Sequence, residues 1–202
     1  MKVHPTRLFE TLLLEPRVYE DSRGFFLETW NNRIFRELGI RETFVQDNHS
    51  FSYRGTLRGL HYQLPRPQGK LVWVIEGEVY DVLVDMRKFS PTFAQWESFY
   101  INTENRFRVW VPPGFAHGFY VTSERAQFCY KCTECYAPEC EKVLAWNAPE
   151  LAIQWPFSPE EQPMISQKDS QALSFSEAPT YSQLPVADCE LPVAKERKEL
   201  IL

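Results

Sequence analysis

The sequence predicts an all-β domain of the sandwich or jelly-roll class. Strand-like runs of apolar and aromatic residues recur every 8–12 residues or so, separated by turn-rich gaps, as in sandwiches and closed antiparallel barrels. The composition is 15% aromatic, with 15 Pro against only 8 Gly. That balance favours pleated, Pro-punctuated strands over a helical bundle. A length of 202 residues suits one domain with a sizeable core, or one domain and an extended tail.

In chain order, strands are expected at 7–19, 25–29, 42–52, 56–63, 70–76, 78–86, 93–101, 107–111, 115–122 and 127–136. Between the second and third, a short helix is expected over 31–38. Asn31 or Asn32 is its N-cap and Gly39 its stop. Gly77, inside Ile75-Glu76-Gly77-Glu78-Val79, reads as the centre of a tight hairpin. The turn Pro112-Pro113-Gly114 re-aims the chain ahead of the run at 115–122. From about Ser158 the character changes to prolines, polar residues and a charged run at 195–199. The domain is therefore placed at 1–157. A C-terminal extension at 158–202 is expected to wrap the barrel or serve an oligomer, fraying at its end.

Composition removes several function classes. Lys and Arg total 22 against 27 Asp and Glu, a net charge of −5 without a basic stripe. No nucleic-acid partner is expected. The most apolar stretch, 71–86, is broken by Glu76, Glu78, Asp81 and Asp85, so no membrane association is expected. The first 15 residues carry neither an apolar core nor a small-residue cleavage site, which points to the cytoplasm.

Five cysteines fit a reduced protein. Four of them crowd into FCYKCTECYAPEC at 128–140, which superficially suggests a metal or iron–sulfur cluster. On a strand, however, Cys129 and Cys135 face one way and Cys132 the other. No second C-x-x-C closes a tetrahedral site, so a bland structural role is favoured.

Two histidines are the leading candidates for chemistry, although a His in an apolar strand is more often a satisfied core residue. His61 shares strand parity with Leu57, Gly59 and Gln63, which puts His and Gln on one face beside a space-making Gly. A polar inward face in a small barrel marks a ligand cavity. His117 follows the Pro-Pro-Gly turn between small Ala116 and Gly118. His49 is a third candidate, and His4 is expected to be inert. No H-x-H exists, so a metal centre is not expected and a metal-free His acid/base site is the better reading. Lys70 stands at the mouth of a strand, where it is either a solvated charge or a stabiliser of an oxyanion or phosphate. Tyr130 is either a core aromatic or a proton-donating phenol. Asp169, taken alone, reads as a surface acid.

Seven segments together resemble the dTDP-4-dehydrorhamnose 3,5-epimerase family, metal-free sugar-nucleotide epimerases of the cupin jelly-roll class. They are DSRGFFLE (21–28), FVQDNHS (44–50), LRGLHYQ (57–63), QGKLV (68–72), GEVYDV (77–82), WVPPGFAHGF (110–119) and WNAPELAIQWP (146–156). They run in order over about four-fifths of the chain, residues 8–169. The resemblance implies a cupin-type double-stranded β-helix, with Asp169 supplied by the C-terminal extension. It implies His61 as general base partnered by Asp169, Tyr130 as general acid, and Lys70 beside the sugar's carbonyl oxygen. Arg23, Glu28, Gln46, Asn48, Arg58, His117, Glu141 and Lys168 match positions that hold the nucleotide, pyrophosphate or sugar. It also implies a nucleotide-sugar substrate, no cofactor, and a homodimer whose neighbour completes the site. The cysteine-rich stretch around Tyr130 departs from the family. Strand parity also sets Arg58 opposite His61, which requires either a bulge or a different pocket for Arg58.

The implied reaction suits these residues. A 4-keto sugar has acidic hydrogens at carbons 3 and 5, because loss of either gives an enolate on the ketone oxygen. A cation at that oxygen supplies the main stabilisation. A base titrating near neutrality favours His, and a carboxylate behind it fixes the tautomer. The missing Gly-rich dinucleotide fingerprint agrees with a reaction that needs no redox cofactor. A single-site epimerase or ketoisomerase on a related nucleotide sugar is the alternative. A non-catalytic sugar-nucleotide binding module is the more distant one, since such a module has no use for an acid/base pair.

Overall fold

The computed structural model describes residues 1–158 and 160–184. Cys189 and the charged run at 195–199 lie outside the described residues. The described chain forms β1 (Lys2–His4), β2 (Leu12–Glu15), β3 (Val18–Asp21), β4 (Gly24–Leu27), α1 (Asn32–Glu37), β5 (Gln46–Tyr53), β6 (Leu57–Gln63) and β7 (Lys70–Glu76). It continues with β8 (Glu78–Asp85), β9 (Trp96–Asn102), β10 (Arg108–Val111), β11 (Phe115–Val121), β12 (Arg125–Cys132) and β13 (Glu141–Val143). A six-stranded sheet has the order β1-β2-β10-β7-β12-β5, and a five-stranded sheet the order β13-β6-β11-β8-β9. The ribbon β3-β4 stands apart from both. Within the sheets every pairing is antiparallel.

Alternation along each strand builds the layers. Val72, Val74 and Phe128 from one sheet meet Val79, Leu83, Phe115, Phe119 and Val121 from the other in the central core. Burying each such side chain stabilises the fold by roughly 1.5–3 kcal/mol relative to exposure. The outer face of the five-stranded sheet is also apolar, through Leu60, Tyr62, Val82 and Val84, and is covered by Leu144, Leu151, Ala178 and Tyr181. That double burial explains why β8 reads as a nearly continuous apolar run. On the other side, Phe35 of α1 and Ile40 pack on Leu14, Leu71 and Trp110. Asn31 caps α1 by accepting from Arg33 and Ile34 N–H, and Gly39 follows with φ +95°.

The extension is stitched on by main-chain bonds. Leu57 N–H donates to Met164 O at 2.9 Å, Leu173 N–H to Val143 O at 3.0 Å, and Tyr181 N–H to Met86 O at 3.0 Å. These bridges carry the turn at Asp169–Gln171 behind β6. Among the described residues, no helix is long and apolar enough to cross a membrane.

Five expectations require correction. The run 93–101 begins only at Trp96, and the run 127–136 ends at Cys132, which leaves Cys135 off the strand. The run 7–19 is two strands, β2 and β3, because Pro16 lacks the N–H a continuous ladder needs. The third expected strand starts only at Gln46. The hairpin at Gly77 does not exist, since β7 and β8 belong to different sheets. Gly77 is instead a corner with φ +78°, where an added Cβ would lie 2.0 Å from Arg125 O. The short strands β1 and β13 add to the expected set.

Candidate active site

The mouth between the two sheets opens into a cavity of about 330 Å³. From the six-stranded sheet, β5 contributes Gln46 and Asn48, β7 contributes Lys70, and β12 contributes Tyr130. From the five-stranded sheet, β6 contributes Arg58 and His61, β11 contributes His117, and β13 contributes Glu141. Lys168 reaches in from the extension.

Arg58 and His61 share this wall because β6 is bulged. His117 pairs with His61 and Phe119 with Arg58, so two residues, Gly59 and Leu60, oppose the single Gly118. An extra residue reverses the side-chain alternation, which settles the parity conflict in favour of a bulge. Only glycines fit there. Gly59 has φ +110°, and a Cβ on it would lie 2.7 Å from His117 O; a Cβ on Gly118 would lie 2.5 Å from Arg58 O.

Behind the wall, His61 Nε2 and Asp169 Oδ1 are 2.6 Å apart. Asp169 is only 4% exposed. Burial opposes its ionisation, but the hydrogen bond and charge of His61, with help from Ser166 and Lys168, hold its carboxyl below the usual range. A second pair lies deeper, with His117 Nε2 2.8 Å from Asp81 Oδ1. Asp81 is fully buried, and its Oδ2 has no partner among the described residues.

Lys70 is 7% exposed, and among the described residues its ammonium makes no hydrogen bond or ion pair. Burial pushes its pKa down, while Cys132, Glu141 and Asp81 pull it back up. The Tyr130 phenol is pushed up to about 12, chiefly by burial, so it holds its proton at neutral pH. At the rim, Glu141 accepts from Lys168 Nζ at 2.7 Å and from the Tyr136 hydroxyl at 2.9 Å. Gln46 Oε1 accepts the Tyr136 N–H at 2.8 Å, and Gln46 Nε2 donates to Asn48 Oδ1 at 2.9 Å.

A pocket of this composition can hold an anionic ligand and move a proton at a carbon next to a carbonyl. The family model for dTDP-4-dehydrorhamnose 3,5-epimerase matches residues 5–177. The chain belongs to this family. The dTDP-4-dehydrorhamnose 3,5-epimerase of Pseudomonas aeruginosa is 50% identical over 182 residues, covering 90% of this chain and 99% of the relative. That of Methanothermobacter thermautotrophicus is 47% identical over 176 residues, covering 87% and 95%. Among solved structures, the dTDP-6-deoxy-D-glucose-3,5-epimerase of Legionella pneumophila, in complex with dTDP-4-keto-L-rhamnose, matches with a TM-score of 0.85. It is 46% identical, over 90% of this chain and 99% of that one.

Of the residues expected to serve this epimerase family's site, ten converge here: Gln46, Asn48, Arg58, His61, Lys70, His117, Tyr130, Glu141, Lys168 and, behind His61, Asp169. Arg23 and Glu28 do not. Arg23 stands on the outlying ribbon, 88% exposed, and pairs with Asp21 at 2.6 Å. Glu28 accepts from Asn31 Nδ2 at 2.9 Å. His49 is exposed on the outer face of β5, away from the cavity. His4 pairs with Glu15 at 2.7 Å. Sequence reasoning missed Asp81, Gln68 and Tyr136. Asp81 carried a signal, since it alternates with Val79 and Leu83 and so places a carboxylate on the core face. Among the described residues, no group of three His, Cys, Asp or Glu is placed to hold a metal ion.

Proposed function

We propose that this chain epimerises a 4-keto-6-deoxy nucleotide sugar at carbons 3 and 5, converting dTDP-4-dehydro-6-deoxy-D-glucose to dTDP-4-dehydro-L-rhamnose in deoxysugar biosynthesis. The observation that carries the reading is the His61–Asp169 pair opening onto the same cavity as the buried Lys70 amine, which has no partner among the described residues, and a protonated phenol. His61 gives its Nε2 proton to the bond with Asp169, which leaves Nδ1 to take a proton from the sugar. Asp169 fixes that tautomer and stabilises the imidazolium that forms. The electron pair moves onto the ketone oxygen, where Lys70 meets the developing enolate with a compact charge. Reprotonation must come from the other face. His61 lies on the five-stranded sheet and Tyr130 on the six-stranded sheet, so a sugar between them has the base on one side and the acid on the other. The net reaction is redox-neutral, and no cofactor is required.

Arg58, Lys168, Gln46, Asn48 and His117 hold the nucleotide, pyrophosphate or sugar. Arg23 and Glu28 act on a neighbouring subunit's cavity, with the exposed β3-β4 ribbon as the arm that delivers them, so the working form is a homodimer. The compartment we assign is the cytoplasm. The test is incubation with dTDP-4-dehydro-6-deoxyglucose followed by a coupled ketoreductase assay. The reading requires dTDP-rhamnose to form in proportion to the protein added, and its absence would overturn the reading.

A further inference from the structure

The cysteines at 129–140 take no part in that chemistry, yet two of them flank the cavity wall. Cys132 closes β12 with its side chain buried, and Asn48 Nδ2, itself on the wall, donates to its Sγ at 3.5 Å. Cys135 is exposed. The chain bends at the two residues between them, Thr133 and Glu134. Three residues of extended chain would part their Cα atoms by about 10 Å, and two successive bends shorten that span toward the roughly 4.4–6.8 Å a disulfide needs. From this arrangement we infer that Cys132 and Cys135 are a reversible disulfide site, and that closing it lowers the turnover of the adjacent cavity.

The reduced loop is held open by side-chain amides. Gln68 Nε2 donates to Glu134 O at 2.6 Å, Gln63 Nε2 to Cys135 O at 3.3 Å, and Tyr136 N–H to Gln46 Oε1 at 2.8 Å. Drawing Cys135 toward Cys132 works against these bonds. It also takes Cys132 Sγ from Asn48 and drags Tyr136 from the rim, where its hydroxyl donates to Glu141. The oxidant is a low-molecular-weight disulfide. The exposed Cys135 thiolate attacks one of its sulfurs and expels a thiolate, leaving a mixed disulfide. Cys132 then gives up its proton, attacks Cys135 Sγ and expels the second small thiol. Two protein thiols are oxidised and one small disulfide is reduced to two thiols. Burial pushes the Cys132 thiol up to about 11, against the opposing pull of Lys70, which suits it to be the second attacker and not the first.

The effect on rate rests on the proposed activity, whereas formation of the bond does not. The whole protein is treated with oxidised glutathione, desalted, and divided between mass spectrometry and the epimerase assay. Cleavage after Lys131, Glu134 and Glu139 separates Cys129, Cys132, Cys135 and Cys140, so fragment 132–134 linked to 135–139 identifies the bond. We expect that link, a product two hydrogens lighter, and kcat/KM down about tenfold to a hundredfold through displaced side chains, restored by dithiothreitol. Cys135→Ser should keep the basal rate and resist the oxidant, while Cys140→Ser should remain sensitive. An unlinked 132–134 fragment, full activity in the linked protein, or equal inactivation of Cys135→Ser would each overturn the inference. If the untreated protein fails to turn over, the functional reading falls while the fragment linkage still decides the disulfide.

Discussion

Replacing Asp169 by Asn changes one oxygen for one NH2 and leaves the volume alone. The main-chain bond from Asp169 N–H to Ser166 Oγ, at 3.1 Å, survives, so the turn that carries residue 169 should hold its place. The chemistry does not survive. At 2.6 Å from His61 Nε2 and 4% exposed, the carboxylate makes a charge-assisted hydrogen bond shielded from water. An amide there removes the counter-charge for the imidazolium. It can also turn its NH2 toward Nε2, which drives the ring proton onto Nδ1, the nitrogen that must be empty to act as base. Losing a positioned base costs about 10²–10⁴-fold, and a wrong tautomer in a His–Asp pair lies at the upper end. We therefore expect kcat for Asp169→Asn to fall by about 10³–10⁴-fold, with KM little changed because no ligand contact is lost. Steady-state kinetics in the coupled assay separates the two parameters. The double variant with His61→Asn should be scarcely worse than His61→Asn alone, because members of a unit are not additive. A kcat within about tenfold of the unmodified protein would mean that Asp169 does not orient the base.

Other consequences are testable with ordinary reagents. Gly59→Ala sets a Cβ 2.7 Å from His117 O at φ +110°, so it should lower stability by roughly 2–4 kcal/mol and reduce activity by shifting His61, as denaturant titration and kinetics would show. Exhaustive chelation should leave the rate unchanged, and loss of turnover restored by zinc or iron would point to a metal route. Acid should unfold the protein through specific carboxyls. Burial opposes ionisation of Asp85, but hydrogen bonds from Arg87, Ser90 and Thr92 hold it below the usual range, as His61 does for Asp169. Depressed carboxyls stabilise the fold above their unfolded value, near pH 4, and that contribution disappears as pH falls through their folded values. Denaturant midpoints should therefore decline below about pH 4, and the decline should be shallower in Asp85→Asn.

Much of the site was legible because strands make parity readable. His61 two residues from Gln63, and His117 beside Gly118, announced a polar inner face, although Leu57 and Gly59, assigned by parity to the face of His61, lie across the bulge that reverses it. What stayed hidden depends on contacts between distant residues or on local irregularity. Asp169 lies 108 residues from His61 in a segment whose composition suggests surface, so only the family resemblance placed it. Arg58 looked misdirected because a bulge leaves no mark beyond a glycine, and glycines serve turns and close packing just as often. Gly77 illustrates the same limit for topology: apolar runs on either side of a glycine read alike, whether the chain folds back or crosses to the facing sheet. Tyr136 was expected at the end of a strand, but β12 stops at Cys132 and the following loop turns the ring to the rim. Three-residue strands such as β1 and β13 are too short for any alternation to register.

The central claim, one base and one acid serving two stereocentres, is tested most directly by isotope exchange. The substrate is turned over in deuterated water, quenched, and its sugar read by proton NMR and mass spectrometry. With His61 as base and Lys70 at the ketone, hydrogens at carbons 3 and 5 are removed in turn, so the product should carry deuterium at both. In Tyr130→Phe the enolate still forms and exchange should continue, while inversion fails at one carbon or both, with carbon 5 the more affected. Deuterium at a single carbon in the unmodified protein would demote it to a single-site epimerase. Full inversion at both centres in Tyr130→Phe would contradict the assignment of the acid.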